Sequence, residues 1–141
     1  MATISLTADV AVDRVRAYLT DPANRPQWQS SLRAIADLRP GRDGPTGAGT
    51  SWTDITVVPG LRPRLETTES TPNRWSEVGA FGPIGARLTL VFTALPATGA
   101  QRCRIDADFE ITGVPVLARA CTPLARPAIA ADLRRAVAIL A

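Results

Sequence analysis

Apolar and polar positions along the chain change their period three times. Residues 3–7 (TISLT) read as a short strand, and Asp9 stands as an N-cap before Val12, Val15 and Leu19, which recur at helical spacing with Tyr18 beside them. Pro22 and Pro26 stop that helix and allow at most one further turn toward Trp28, a large apolar ring on a backbone that is turning. The period then becomes two. Strands are predicted over 32–38, 50–58, 64–70, 75–81, 86–95 and 102–111, separated by Gly- and Pro-rich turns such as RPGRDGPTGAG (39–49), PGLRP (59–63) and GPIG (82–85), with PATGAQ (96–101) as the last connection. Leu88, Leu90 and Phe92 share a face of one strand. Cys103, Ile105, Ala107, Phe109 and Ile111 share a face of the next, opposite Arg102, Arg104, Asp106, Asp108 and Glu110.

Beyond Thr112 the helical period returns. GVPVLARAC reads as one short helix. Thr122 then caps a helix of about 18 residues with Pro123 at its first position, Pro127 near a kink, and Ile129, Leu133, Val137 and Leu140 on one stripe. The order is a strand, one or two short helices, about six antiparallel strands and a long C-terminal helix. A single apolar-faced helix has to bury against the sheet, which makes the fold class α+β with about seven strands.

Composition narrows the chemistry more than the fold. The chain has 141 residues, 45% of them hydrophobic, and is expected to form one domain over 1–141. No apolar run reaches the ~18 residues of a membrane span, and the N-terminus shows no signal-peptide pattern, so the cytoplasm is the default location. All 16 basic residues are Arg, scattered along the chain without a basic stripe, and nucleic-acid binding is not expected. There is no His, which removes imidazole bases, Ser–His and Cys–His nucleophiles and the usual zinc sites. Without Lys there is no Schiff-base chemistry. No phosphate-cradling motif occurs, so no metal or nucleotide cofactor is expected. Cys103 and Cys121 are too far apart to form a CxxC and read as two small reduced hydrophobes. Proton transfer would fall to Asp, Glu, Tyr18, a Cys or bound water.

The order of elements and four stretches of sequence resemble the START-like superfamily with the helix-grip fold. ADVAVDRVRAYLTDPANRPQW resembles its opening helix, Asp-Pro break and Trp. GAGTSW resembles the Gly-x-Gly-Thr before the third strand, ETTESTPNRW the strand and turn before the fifth, and ITGVPVLARACTPLARPAIAADLRRAVAIL the gripping helix. The likeness runs from about Thr3 to Leu140 and is nearest to the polyketide cyclase/dehydrase-type branch. It implies a curved antiparallel sheet wrapped around the C-terminal helix, with a cavity between them for an apolar or aromatic small molecule. It also implies a cyclase/dehydratase-like enzyme or a non-catalytic carrier or sensor. Apart from the resemblance, the chain is expected to be a monomer or a homodimer. Aromatase/cyclases of this superfamily carry a Trp on the third strand with an Arg four residues later; here Trp52 is followed at that offset by Thr56.

Trp52, Asp54 and Thr56 share one face of their strand, and Trp52, the largest apolar group there, argues that this face is inward. Asp54 and Thr56 would then line the cavity, and an Asp beside an indole in a dry pocket has a raised pKa suited to proton transfer. The expected catalytic group is Asp54, assisted by Thr56 or Glu77. Arg64 with Glu66, and Trp75 with Glu77, share faces on the following strands; they either position a ligand or form cross-strand ion pairs outside. Trp28 either seals the cavity entrance or plugs the core, and Tyr18 either packs or reaches the pocket. Asp106, Asp108 and Glu110 oppose the apolar face and are expected to be solvated.

Overall fold

The computed structural model describes residues 2–96 and 99–141; residues 97 and 98 of the 96–101 connection, like residue 1, lie outside the described residues. Strand β1 (Ala2–Ala8) leads into helix α1 (Val12–Thr20). Asp21 then accepts the Ala23 N–H at 3.0 Å and opens a single 3₁₀ turn over Pro22–Asn24, followed by the one-turn helix α2 (Arg25–Trp28). The two prolines sit where the missing N–H costs nothing, at the starts of these two turns. Strands β2 (Leu32–Arg39), β3 (Ser51–Thr56), β4 (Arg64–Ser70), β5 (Arg74–Phe81), β6 (Ile84–Leu95) and β7 (Arg102–Thr112) follow, then helix α3 (Pro115–Leu140). All pairings are antiparallel, in the order β1-β7-β6-β5-β4-β3-β2, and the curved sheet holds α3 in a helix-grip arrangement.

The period-two faces are where the alternation puts them. Leu88, Leu90, Phe92, Cys103, Ile105 and Ala107 are buried, while Asp108 accepts from Thr3, Arg104 from β7 pairs with Asp106, and Arg87 pairs with Glu110 on the outer face. The core closes where this face meets Val15 and Leu19 of α1, the three tryptophans, and Ala130, Leu133, Ala136 and Leu140 of α3. Ile129 and Val137 flank that stripe.

Three local expectations fail for identifiable reasons. Asp9 does not cap α1: the cap position is Ala11, and the Asp9 carboxylate accepts from Arg102 at 2.9 Å instead. Thr122 caps nothing, because α3 is continuous from Pro115 to Leu140. Its hydroxyl accepts the Ile111 N–H at 3.0 Å and ties the helix to β7. Pro123 and Pro127 are tolerated inside the helix because both rings face solvent, where the carbonyls they free can be hydrated. Finally, β3 stops at Thr56 rather than 58. The Thr56 hydroxyl donates to the Leu61 carbonyl at 2.7 Å and bends the chain, leaving Val57 and Val58 exposed.

Candidate functional site

Three chain segments far apart in sequence each place one charged group at the same buried point. Arg25, from the single turn of α2, is only 3% exposed; Asp54 from β3 is 4% exposed and Glu77 from β5 is 5% exposed. The Arg25 guanidinium meets Glu77 through a two-pronged fork, Nη1 to Oε2 at 2.7 Å and Nη2 to Oε1 at 3.1 Å. Its Nε lies 3.9 Å from Asp54 Oδ1, too far for a hydrogen bond, and has no other partner among the described residues. Asp54 Oδ1 instead accepts the Trp52 indole N–H at 2.9 Å. The guanidinium also lies over two rings, 5.7 Å from the centroid of Trp28 and 5.3 Å from that of Trp52.

Burial raises the Asp54 pKa above its ordinary value, with the Arg25 charge and the Trp52 hydrogen bond acting against it. Burial likewise raises Glu77; Arg25 lowers it and the neighbouring Asp54 charge raises it again. Two carboxylates share one guanidinium. With both ionised the buried cluster would carry a net negative charge, which low-dielectric surroundings oppose. The fork favours the ionised form of Glu77, whereas Asp54 meets the guanidinium only at 3.9 Å; both carboxyls are raised by burial, and the titration belongs to the pair.

Arg25, Asp54 and Glu77 form the polar corner of a cavity of 290 Å³. Its other walls are mainly apolar: Leu65 on β4, Phe81 at the end of β5, Ile84 and Leu88 on β6, and Phe109 and Ile111 on β7, with Gln29 just after α2. Among the described residues α3 contributes none of the lining, so the cavity lies between the sheet and the α2 region rather than between sheet and helix. Asp132 of α3 supports that region from behind by accepting the Ser30 N–H at 3.2 Å.

The sequence-derived candidates divide accordingly. Asp54 and Glu77 are brought together in the cavity wall. Trp28 and Trp52 are buried at 4% and 0% exposure, lie against the Arg25 guanidinium, and are not among the residues lining the cavity. Trp75, 1% exposed, is a core ring whose Nε1 has no hydrogen-bond partner. Thr56 is spent on the β3–β4 turn and is not in the cavity. Arg64 is exposed on the outer face, donating to Thr53 and Ser51, and Glu66 is exposed on the same side, so neither reaches the cavity. The Tyr18 hydroxyl donates to Gln27 at 2.8 Å and joins α1 to the α2 region.

Arg25 is the group that sequence reasoning missed. The expected signal was an Arg four residues after Trp52; the guanidinium arrives from another element. A usable signal was present three residues before Trp28, since residues at i and i+3 on one helical turn share a face. An inward Trp28 implies an inward Arg25.

Comparison with known proteins agrees with this architecture. A family model described as polyketide cyclase/dehydrase and lipid transport matches residues 1–141. No curated protein matches the chain. Among solved structures, a START superfamily protein from Mycobacterium smegmatis is similar with TM-score 0.70 and 12% identity, covering 99% of this chain and 95% of that one. A hypothetical protein, jhp0584, from Helicobacter pylori is similar with TM-score 0.73 and 16% identity, covering 99% and 87%. Norcoclaurine synthase from Thalictrum flavum is similar with TM-score 0.66 and 17% identity, covering 97% and 83%. At these identities the structural likeness speaks to the fold alone.

Proposed function

The chain belongs to the polyketide cyclase/dehydrase and lipid transport family and is a START-like protein for a hydrophobic ligand, and from that premise we propose that it is a cyclase/dehydratase-like enzyme acting on an aromatic or polyketide-type substrate, with Asp54 as its proton carrier. The observation that carries this reading is the placement of a carboxyl with a raised pKa in an otherwise apolar cavity wall, beside an anion already paired to its own cation. A buried ion pair is poor at stabilising a fold compared with apolar residues of the same volume. A role in the site accounts for its presence better than stability does.

The chemistry is a β-elimination. The substrate is a β-hydroxy ketone held against the apolar wall, with its reacting carbons near Asp54. In one concerted step the Asp54 carboxyl gives its proton to the departing hydroxyl oxygen while its other oxygen takes the proton from the carbon next to the ketone; the C–H pair becomes the double bond and the C–O pair leaves with water. The products are an enone and water, and the acid is restored. Glu77 and Arg25 are positioning residues: their fork fixes the guanidinium, whose charge keeps the Asp54 pKa from rising further. Trp52 fixes the carboxyl orientation through Oδ1. Shape and orientation in the cavity supply the rest of the rate.

The test is conversion of a β-hydroxy aryl ketone to its enone, followed by absorbance. Asp54→Asn keeps the Trp52 hydrogen bond and should lower turnover by about 10²–10⁴ with binding intact. Unchanged turnover would remove Asp54 from the mechanism. A second reading, a non-catalytic carrier or sensor, is favoured by the mainly apolar lining and by the fork that commits both Arg25 Nη groups to Glu77. Mass spectrometry of a small molecule co-purified in chemically unaltered form would support it.

A further inference from the structure

The cavity wall carries one polar side chain that the proposed reaction leaves unused. Gln29 follows α2 directly, and its backbone N–H donates to the Arg25 carbonyl at 2.8 Å, which fixes its Cα beside the charged cluster. Its side-chain amide is nearly idle. Oε1 is buried with no hydrogen-bond partner, and Nε2 has only a 3.4 Å contact to the Ser31 hydroxyl. The residue is half-buried, with Nε2 toward solvent, but the buried Oε1 is an unused acceptor, and leaving it unpaired is costly. Among the described residues no protein group competes with a ligand for Oε1. A hydroxyl, which both donates and accepts, satisfies either orientation.

Size limits the ligand further. The cavity volume of 290 Å³ is about twice the ~150 Å³ of an apolar cavity that holds one benzene ring. Two fused rings fit within it. A third ring or a long acyl chain would project out of it.

We propose that this site selects a compact two-ring aromatic ligand bearing a hydroxyl, and that Gln29 is the residue that reads that hydroxyl. This rests on the reading of the cavity as the ligand site and names the class of molecule it takes. The Gln29 amide marks the end of the ligand that does not react. Asp54 marks the end that does.

The test compares 2-naphthol with naphthalene by calorimetric titration of the full chain, with no turnover involved. The wild type should bind 2-naphthol about tenfold more tightly, the worth of one satisfied buried hydrogen bond. Gln29→Leu should reduce that preference to threefold or less while binding naphthalene at least as well. Because the Gln29 side chain makes only the one long contact, the melting temperature of this variant should stay that of the wild type. The proposal is overturned if the wild type shows no preference, if the preference survives in Gln29→Leu, or if neither probe binds. Enone formation by the wild type is read separately. No enone product with an intact naphthol preference would sink the enzyme reading alone, and enone formation without the preference would sink this one alone.

Discussion

Substituting Glu77→Gln keeps the shape of the side chain and removes the charge that Arg25 faces. The pair is almost fully out of water, at 3% and 7% side-chain exposure. Removing one partner of such a pair leaves a buried charge uncompensated and costs about 3–5 kcal/mol. Here Asp54 remains 3.9 Å from Nε. It can ionise and serve as a weaker counter-ion, which puts the cost at the lower end, about 3 kcal/mol. For a chain of this length that corresponds to a fall in melting temperature of about 10 °C. Asp54→Asn alone should cost little near neutral pH, because the fork to Glu77 stays and an Asn oxygen still accepts the Trp52 N–H. The double variant strips Arg25 of both carboxylates, and its loss should approach 5 kcal/mol. That exceeds the sum of the singles by about 2 kcal/mol, as expected for residues in one network.

Urea unfolding at pH 7.5 measures all three variants against the wild type. A further control separates charge from packing. Arg25→Met with Glu77→Leu removes both charges and should recover most of the stability lost in Glu77→Gln, because an apolar replacement of a buried pair is neutral or better. A Glu77→Gln loss below about 1 kcal/mol would refute the reasoning, since it would mean that water reaches the guanidinium.

Two further predictions concern pH and backbone geometry. Burial raises the folded-state pKa of Asp54 above its ordinary 3.8. The stabilisation from its bound proton is therefore complete below about that value and is lost as pH rises through the folded-state pKa. Asp54→Asn should consequently gain in melting temperature relative to the wild type as pH is raised from 4 to 8, read by scanning calorimetry; a difference that shrinks over that range would reverse the assignment. Gly113, between β7 and α3, has φ +97, and a Cβ there would overlap the Pro83 carbonyl oxygen. Gly113→Ala should lose about 2–3 kcal/mol in urea unfolding, and a loss under 0.5 kcal/mol would show that the two turns are not packed together in solution.

Most of the sheet is legible from period-two alternation, because strands with one buried face leave their pattern in single residues: Cys103, Ile105 and Ala107 are buried and the intervening charges pair outside. What alternation cannot carry is which element supplies the partner of a buried charge. Arg64 and Arg25 look equally available along the chain. Arg64 ends on the outer face because its strand neighbour Leu65 takes the inner one. Arg25 ends inside because a four-residue turn, entered through Pro22 and carrying Pro26, has no room to turn it elsewhere. Likewise the helix signal at Thr122-Pro123 is locally correct chemistry for a helix start. It is overridden because the hydroxyl finds a better use on β7.

The tryptophan on the turning backbone follows from the same geometry. Trp28 and Trp52 approach the Arg25 guanidinium at 5.7 and 5.3 Å, and a desolvated cation over an aromatic face is worth about 2 kcal/mol. That offsets part of the cost of taking the charge out of water and orients the planar group. The planar group then has its fork toward Glu77 and its Nε toward Asp54. The rings thus act on the site through Arg25, without lining the cavity themselves. A ligand in this cavity therefore meets Leu65, Leu88 and Phe109 as its apolar wall, and truncating Trp28 would reach it only by releasing Arg25 from its plane.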